Sequence, residues 1–258
     1  MGVLDQFKLD GRVAVVTGAG KGIGRGIALA LAEAGADVAL AARSAEDLET
    51  VAAEVRERGR RAIVVPTDVT QMEMLENLAG RTKAELGAVD IWVNNAGGLP
   101  DGIPRYLTRT SEAQFSAQID LNLKAVWAGC VVAAGAMGED GGVIVNISSR
   151  AGKDMAPNLK NGPYAASKSA VNSLTATFSR ELAPRIRVNA VGPGPIPTEN
   201  FTASVRMDTP ERAEEVRRSM NIALQRFGAP EDIGAAVVYL ASPASSWVTG
   251  QVIYVAGG

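Results

Sequence analysis

Arg12-Val13-Ala14-Val15-Val16-Thr17, followed at once by Gly18-Ala19-Gly20-Lys21-Gly22-Ile23-Gly24, decides the architecture of this chain. Val13 to Thr17 is apolar or β-branched throughout, as a strand buried on both faces requires. The glycines after it let the backbone turn tightly. Gly24 to Ala34, rich in Ala, Ile and Leu, then reads as a helix. A strand, a glycine turn and a helix in direct succession open a βαβ unit.

The pattern repeats outward from there. Asp37 to Ala41, Ala62 to Pro66, Val89 to Val93, Val143 to Ile147, Ile186 to Val191 and Val252 to Val255 read as further strands. Helical patterns stand between them, among them Ala45 to Arg58 and Met72 to Leu86. Thr70 and Glu73 have the spacing of a capping box. Strands alternating with helices predict an α/β fold: a single doubly wound Rossmann-type domain over residues 1–258. Its sheet is expected to be seven-stranded and mostly parallel, with helices on both faces. Such a fold binds ligands at the carboxyl ends of its strands.

Composition narrows the chemistry. The chain has no histidine, which excludes a Ser-His-Asp triad, a Cys-His pair and a His-ligated zinc; no metal is expected. A net charge of −2 gives no footprint for nucleic acid. Cys130 is the one cysteine and cannot form an internal disulfide, which suits a reducing cytosol. Met1 to Gln6 shows no basic stretch leading into an apolar run, so no secretory leader is expected. No apolar run of membrane-spanning length is read either. Together these point to a cytoplasmic protein with neither nucleic acid nor membrane as partner.

The first glycine loop has the features of a pyrophosphate cradle. Gly18, Gly20, Gly22 and Gly24 allow close backbone approach, while Lys21 and Ile23 lie between them at the start of the helix. The helix N-terminus directs its amides toward an anion. The spacing is not Gly-x-Gly-x-x-Gly, and the Gly-Lys-Ser/Thr of a P-loop is absent. A ligand-free glycine turn is the alternative. At the end of strand two, Ala42 stands where an acid would bind the ribose hydroxyl of NAD, and Arg43 follows it. Arg43 and Lys21 together favour the 2′-phosphate of NADP, with NAD possible. Asp68-Val69 ends strand three, where Asp68 either meets the adenine amino group or caps local backbone. Asn94-Asn95-Ala96-Gly97 ends strand four and suits a loop against a cofactor, or any turn.

Tyr164 and Lys168, at i and i+4, share one helix face. The spacing alone is weak evidence; its place after strand five, downstream of a glycine loop, strengthens it. A nearby ammonium lowers the pKa of a phenol and equips it to exchange a proton with an alcohol or a carbonyl oxygen. Strand five ends in Ser148-Ser149, either of which can hydrogen-bond the same oxygen. Asn122, in an otherwise apolar helix, reads on its own as a packing compromise.

These motifs, in this order over nearly the whole chain, resemble the short-chain dehydrogenase/reductase family. The resemblance extends to Pro193-Gly194-Pro195-Ile196-Pro197-Thr198 and to scaffold segments similar to 7α-hydroxysteroid dehydrogenases and 3-oxoacyl carrier-protein reductases. It implies a catalytic tetrad of Asn122, Ser149, Tyr164 and Lys168. In that set Tyr164 is the acid–base, Lys168 holds the nicotinamide ribose, Ser149 orients the substrate oxygen and Asn122 supports a water relay. Pro193, Gly194, Ile196 and Thr198 would meet the nicotinamide end. The Ser149-to-Tyr164 interval is two residues longer than in many members, consistent with a small insertion.

The implied activity is hydride transfer between NAD(P) and a small-molecule ketone or secondary alcohol, in a homotetramer. Residues 198–222 read as a substrate lid, and Met155, Pro157 and Leu159 as an apolar pocket wall. Two other readings stay open: a non-catalytic dinucleotide-binding scaffold or sensor, and an epimerase or dehydratase that recycles bound NAD(P).

Overall fold

The computed structural model describes residues 2–153 and 160–258. The strands are β1 (Val13–Thr17), β2 (Asp37–Ala42), β3 (Ala62–Pro66), β4 (Ile91–Asn94), β5 (Gly142–Ile147), β6 (Ile186–Pro193) and β7 (Val252–Val255). They form one 7-stranded sheet in the order β3-β2-β1-β4-β5-β6-β7, with every pairing parallel. Helices α1 (Gly22–Glu33), α2 (Ala45–Glu57), α3 (Met72–Glu85), α4 (Glu112–Ile119), α5 (Ala125–Ala136), α6 (Gly162–Glu181), α7 (Glu199–Val205), α8 (Pro210–Ser219) and α9 (Pro230–Ala241) complete it. The doubly wound α/β fold expected from the sequence is the fold of this chain.

The two sheet faces carry separate apolar cores. In β1, Ala14 and Val16 point to one, with Ile27, Leu31, Leu48, Val51, Ile233 and Val237 from α1, α2 and α9. Val13 and Val15 point to the other, with Leu75, Leu78, Ala128, Cys130, Val171 and Phe178 from α3, α5 and α6. All of β1 is buried, which explains why the strand shows no polar alternation.

Local departures from the sequence reading have identifiable causes. Gln71, not Thr70, is the N-cap of α3, and no side chain caps that helix. The Thr70 backbone N–H and hydroxyl both donate to the Asp68 carboxylate instead, at 3.0 and 2.8 Å. The helix around Asn122 is not uniform: a π-helical turn, Asp120–Lys124, separates α4 from α5. The resulting run Glu112–Ala136, 25 residues, meets by length and composition the requirement for crossing a bilayer, which corrects the reading that no run does. Its charged residues are few, and its small apolar residues raise the average. Ala125, Val126, Gly129 and Cys130 are buried, in a helix that packs on α3 and β4. Met155, Pro157 and Leu159 lie outside the described residues.

α1 and α9 cross closely because glycine stands on both sides. A Cβ at Gly26 would lie 2.5 Å from the Pro230 Cβ and 2.9 Å from its carbonyl carbon, and one at Gly234 would lie 2.7 Å from the Ala30 Cβ. Gly26→Ala is therefore expected to lower unfolding free energy by about 1–3 kcal/mol through overpacking. The readout is a lower urea midpoint with an unchanged slope; an unmoved midpoint would show that the helices separate without cost.

Candidate active site

The strand order reverses between β1 and β4, so their carboxyl ends open a crevice. The loops that line it are bound to one another. The Asn95 side-chain amide donates to the Thr17 carbonyl at 2.8 Å and the Gly18 carbonyl at 3.2 Å. In return the Asn95 and Ala96 backbone N–H groups donate to the Thr17 hydroxyl, at 3.0 and 3.1 Å. Gly18, with φ of +65°, leaves no room for a side chain: a Cβ would stand 2.9 Å from the Ala96 Cα. A Cβ on Gly24 would collide with the Gly18 carbonyl oxygen. Part of the glycine pattern thus serves loop-on-loop packing.

The rest of the loop fits a pyrophosphate. Lys21 is the N-cap of α1 and supplies no side-chain cap, so the first-turn amides over Gly22, Ile23 and Gly24 have no side-chain acceptor. Thr198 closes over the same place, its methyl 2.9 Å from where a Gly22 Cβ would sit. Pro193 and Gly194 lead there from β6, with the Gly194 N–H donating to the Val255 carbonyl at 2.9 Å; Ile196 is buried beside them.

The charges expected to choose the dinucleotide are placed unequally. The Lys21 ammonium lies 3.5 Å from the Asp47 carboxylate and 3.6 Å from that of Glu199. Asp47, first, and Glu199 raise its pKa. Asp47 also sits against Gly20, whose Cβ would lie 3.0 Å from the Asp47 Cβ. The reading of two cations and no acid is corrected accordingly: α2 brings an acid back to the crevice five residues after Ala42. Arg43 is exposed and has no ion pair among the described residues. Val69 packs in the core, and one Asp68 carboxylate oxygen accepts from Thr70 as described.

Beyond β5 the two serines part. Ser148 is buried and donates to the Asn172 side chain at 2.6 Å. The Ser149 hydroxyl accepts the Ala151 N–H at 3.0 Å and lies near enough to the Tyr164 phenol to influence its pKa. Tyr164 sits in the first turn of α6, whose N-cap residue, Asn161, provides no side-chain cap. Burial pushes the Tyr164 phenol above its ordinary value, and the Ser149 hydroxyl pulls it down. The lowering by Lys168 expected from the sequence is not realised in this state. The Lys168 ammonium lies 5.7 Å from the Tyr164 ring centroid and donates to the Ile147 carbonyl at 2.8 Å. Its own pKa falls to about 8 because it is buried.

Asn122 is fully buried in the π turn. Its Oδ1 accepts the Gly98 N–H at 2.8 Å, and its Nδ2 donates to the Gly98 carbonyl and to the Gln118 Oε1, each at 2.8 Å. A Cβ on Gly97 would stand 2.9 Å from the Asn122 Oδ1 and 3.3 Å from the Lys168 Nζ. Asn122, Gly97, Lys168, Tyr164 and Ser149 therefore form one continuous cluster. Gln118 joins it and was not singled out in the sequence; its i, i+4 relation to Asn122 was the available signal. A cavity of about 260 Å³ opens beside Tyr164, with Leu99, Pro100, Ile103, Gln118 and Pro163 in its wall.

Known proteins resemble this chain along its whole length. The family model described as Enoyl-(Acyl carrier protein) reductase matches residues 18–258. An uncharacterized oxidoreductase of Mycobacterium tuberculosis is 40% identical over 260 residues, covering 99% of this chain and 95% of the relative. A 3-oxoacyl-[acyl-carrier-protein] reductase of Thermotoga maritima is 37% identical over 253 residues, 97% of this chain and 98% of the relative. Among solved structures, a 7α-hydroxysteroid dehydrogenase complexed with NADH and 7-oxo glycochenodeoxycholic acid superimposes with a TM-score of 0.91. It is 36% identical, over 100% of this chain and 98% of that one.

Lys168 gives a pH signature of its own. Its folded pKa, about 8, is below the ordinary lysine value of 10.5, so the unfolded chain binds the extra proton between those values. Stability then rises with pH across that window, and the penalty of the buried charge is fully present below it. Relative to Lys168→Met, the wild-type protein should gain stability from about pH 8 to 10.5, as read by denaturant melts at matched pH. A difference that stays flat across the window would mean that the ammonium is not desolvated.

Proposed function

The chain belongs to the short-chain dehydrogenase/reductase family, and on that premise we propose that Tyr164 is the proton donor and acceptor in hydride transfer between a nicotinamide dinucleotide and a ketone or secondary alcohol. The observation that carries this reading is the juxtaposition at the cavity: Tyr164 in its wall, Ser149 near enough to lower the phenol's pKa, and the Lys168 ammonium 5.7 Å from the ring centroid. A bound nicotinamide dinucleotide supplies or accepts the hydride; this chain's residues handle the proton.

In the reducing direction a raised Tyr164 pKa keeps the phenol protonated and ready to donate. The Ser149 hydroxyl holds the substrate oxygen in line with it. Once the proton has left, the phenolate is stabilised by the Lys168 cation and by the positive end of α6. Lys168 has further N–H groups beyond the one given to Ile147, which fits a ribose hydroxyl. Asn122 acts by fixing Gly98 and the wall that begins at Leu99, and by presenting the Lys168 side of the cluster to water.

The glycine loop from Gly18 to Gly24, the Asn95-Ala96-Gly97 segment, Asp68 with Val69, and Pro193 to Thr198 would hold the dinucleotide. We assign NADP as the preferred form on Arg43, whose guanidinium lacks an ion pair among the described residues; Asp47 beside Gly20 leaves NAD as a usable second. Residues 198–222, which include α7 and α8, would act as the lid of a single domain spanning 1–258. The exposed Trp127 and Val131 of α5 fit a face buried in a homotetramer. The setting is cytoplasmic. The substrate is a moderately apolar ketone or alcohol, in line with the oxo bile acid held by the dehydrogenase of known structure.

NADPH oxidation over a panel of ketosteroids, acyl thioesters, sugars and simple ketones tests the mechanism. Tyr164→Phe should lower turnover by about 10²–10⁴-fold with NADPH affinity retained; undiminished turnover in that variant removes Tyr164 from the chemistry. Binding of NADPH should exceed that of NADH, and Arg43→Asp should reverse the order. Tighter NADH binding to the wild type at low and moderate salt would overturn the assignment.

A further inference from the structure

The cavity beside Tyr164 is unevenly charged. Its apolar wall is made by Leu99, Pro100, Ile103, Ala113, Ala117 and Pro163. Arg105 and Lys160 also line it, against a single carboxylate, Asp101, among the described lining residues. The two cations are brought together by the backbone: Arg105 and Asn161 form an isolated parallel bridge, which sets Arg105 beside Lys160 just ahead of α6. A third cation, Arg109, stands next to them. The Lys160 Nζ and the Arg109 Cζ each lie 5.8 Å from the Tyr106 ring centroid, and neither has a carboxylate partner among the described residues. The uncapped N-terminus of α6 adds positive potential at the same place.

One carboxylate already occupies this ground. The Arg105 guanidinium holds Asp101 at 2.7 Å, and that hydrogen bond keeps the Asp101 carboxyl below its usual value. A planar guanidinium matches a carboxylate in geometry as well as in charge. Lys160 has no such partner among the described residues and is left for another.

We infer that the substrate carries a carboxylate on an apolar body, with its carbonyl or hydroxyl at Tyr164 and its carboxylate at the Lys160–Arg105 end of the cavity. This inference rests on the hydride-transfer reading of the same site. The apolar wall takes the body of the molecule out of water. The cations supply orientation, since reversing the substrate would take its anion away from Lys160 and Arg105. The attraction at a partly exposed rim is modest and weakens with salt.

The probes are medium-chain methyl-ketone carboxylates and their methyl esters, given to the protein with NADPH. The carboxylates should show kcat/KM about tenfold above their esters at low salt, the order of one favourable ion pair. Lys160→Gln should bring that ratio toward unity. Asp101→Asn, which frees Arg105, should raise it; a merely structural role for this loop predicts no such rise. Equal kcat/KM for acid and ester, or a ratio that neither substitution moves, overturns the inference while leaving hydride transfer intact. If neither probe is turned over, calorimetry on the NADP-loaded protein decides. A tighter carboxylate that loses its advantage in Lys160→Gln sustains the subsite even as the reductase reading fails for these ketones. No difference in affinity within the pairs rejects it.

Discussion

The Lys168 ammonium is 2% exposed and, among the described residues, donates to one acceptor, the Ile147 carbonyl at 2.8 Å. An ammonium in that position is held at the expense of stability, because desolvation favours its neutral form. The architecture around it follows from that constraint. Ile147 is the last residue of β5, so the acceptor is fixed by the sheet. Lys168 itself is fixed in α6 one turn beyond Tyr164, which sets its ammonium 5.7 Å from the Tyr164 ring centroid. Gly97 leaves the space that a side chain would take from the Nζ. A cation buried among backbone carbonyl and aromatic ring, with a phenol at hand, retains its value for the moment when that phenol gives up its proton.

Holding this geometry requires that β4, β5 and α6 not slide against each other. A buried polar chain does so: the Trp92 indole N–H donates to Asn94 at 2.8 Å, Asn94 to Asn146 at 2.9 Å, and Asn146 to Thr175 at 3.0 Å. Each amide has partners, so the row adds directional registry without leaving an orphan in the core. Cys130 lies against the two amides, and burial pushes its thiol up to about 12, which keeps it inert in this setting. The site therefore stands on a polar spine inside an otherwise apolar layer.

The fold was legible because periodicity and glycine carry it. Val13 to Thr17 cannot be other than a doubly covered strand, and the turn after it has only one economical continuation. The tetrad cluster was legible as spacing, Tyr164 to Lys168 on a helix face, but its electrostatics were not. Nothing in the sequence says that the ammonium is itself buried, or that burial raises the pKa of the phenol in this state. Asn94 read as a loop residue and turned inward, since a side chain at the last position of a strand is assigned to core or crevice by register. Asp47 escaped notice because it lies on a helix, three residues past the N-cap Ser44, and only folding returns it to Gly20.

Asn122 shows how a local defect in a helix becomes a functional contact. In a regular α-helix an asparagine costs stability through competing hydrogen bonds with the backbone. Here the helix takes a π turn at Asp120–Lys124. The Asn122 amide then reaches outward to both backbone groups of Gly98, much as a neighbouring strand would. Gly98, at φ +135°, is in a conformation that other residues rarely adopt, and the paired hydrogen bonds hold it there. Leu99 and Pro100 follow directly and form part of the cavity wall. The cost of a polar residue inside an apolar helix is thus offset by fixing the wall against which a substrate must lie, and by presenting Gln118 to the same cavity through its bond to Asn122.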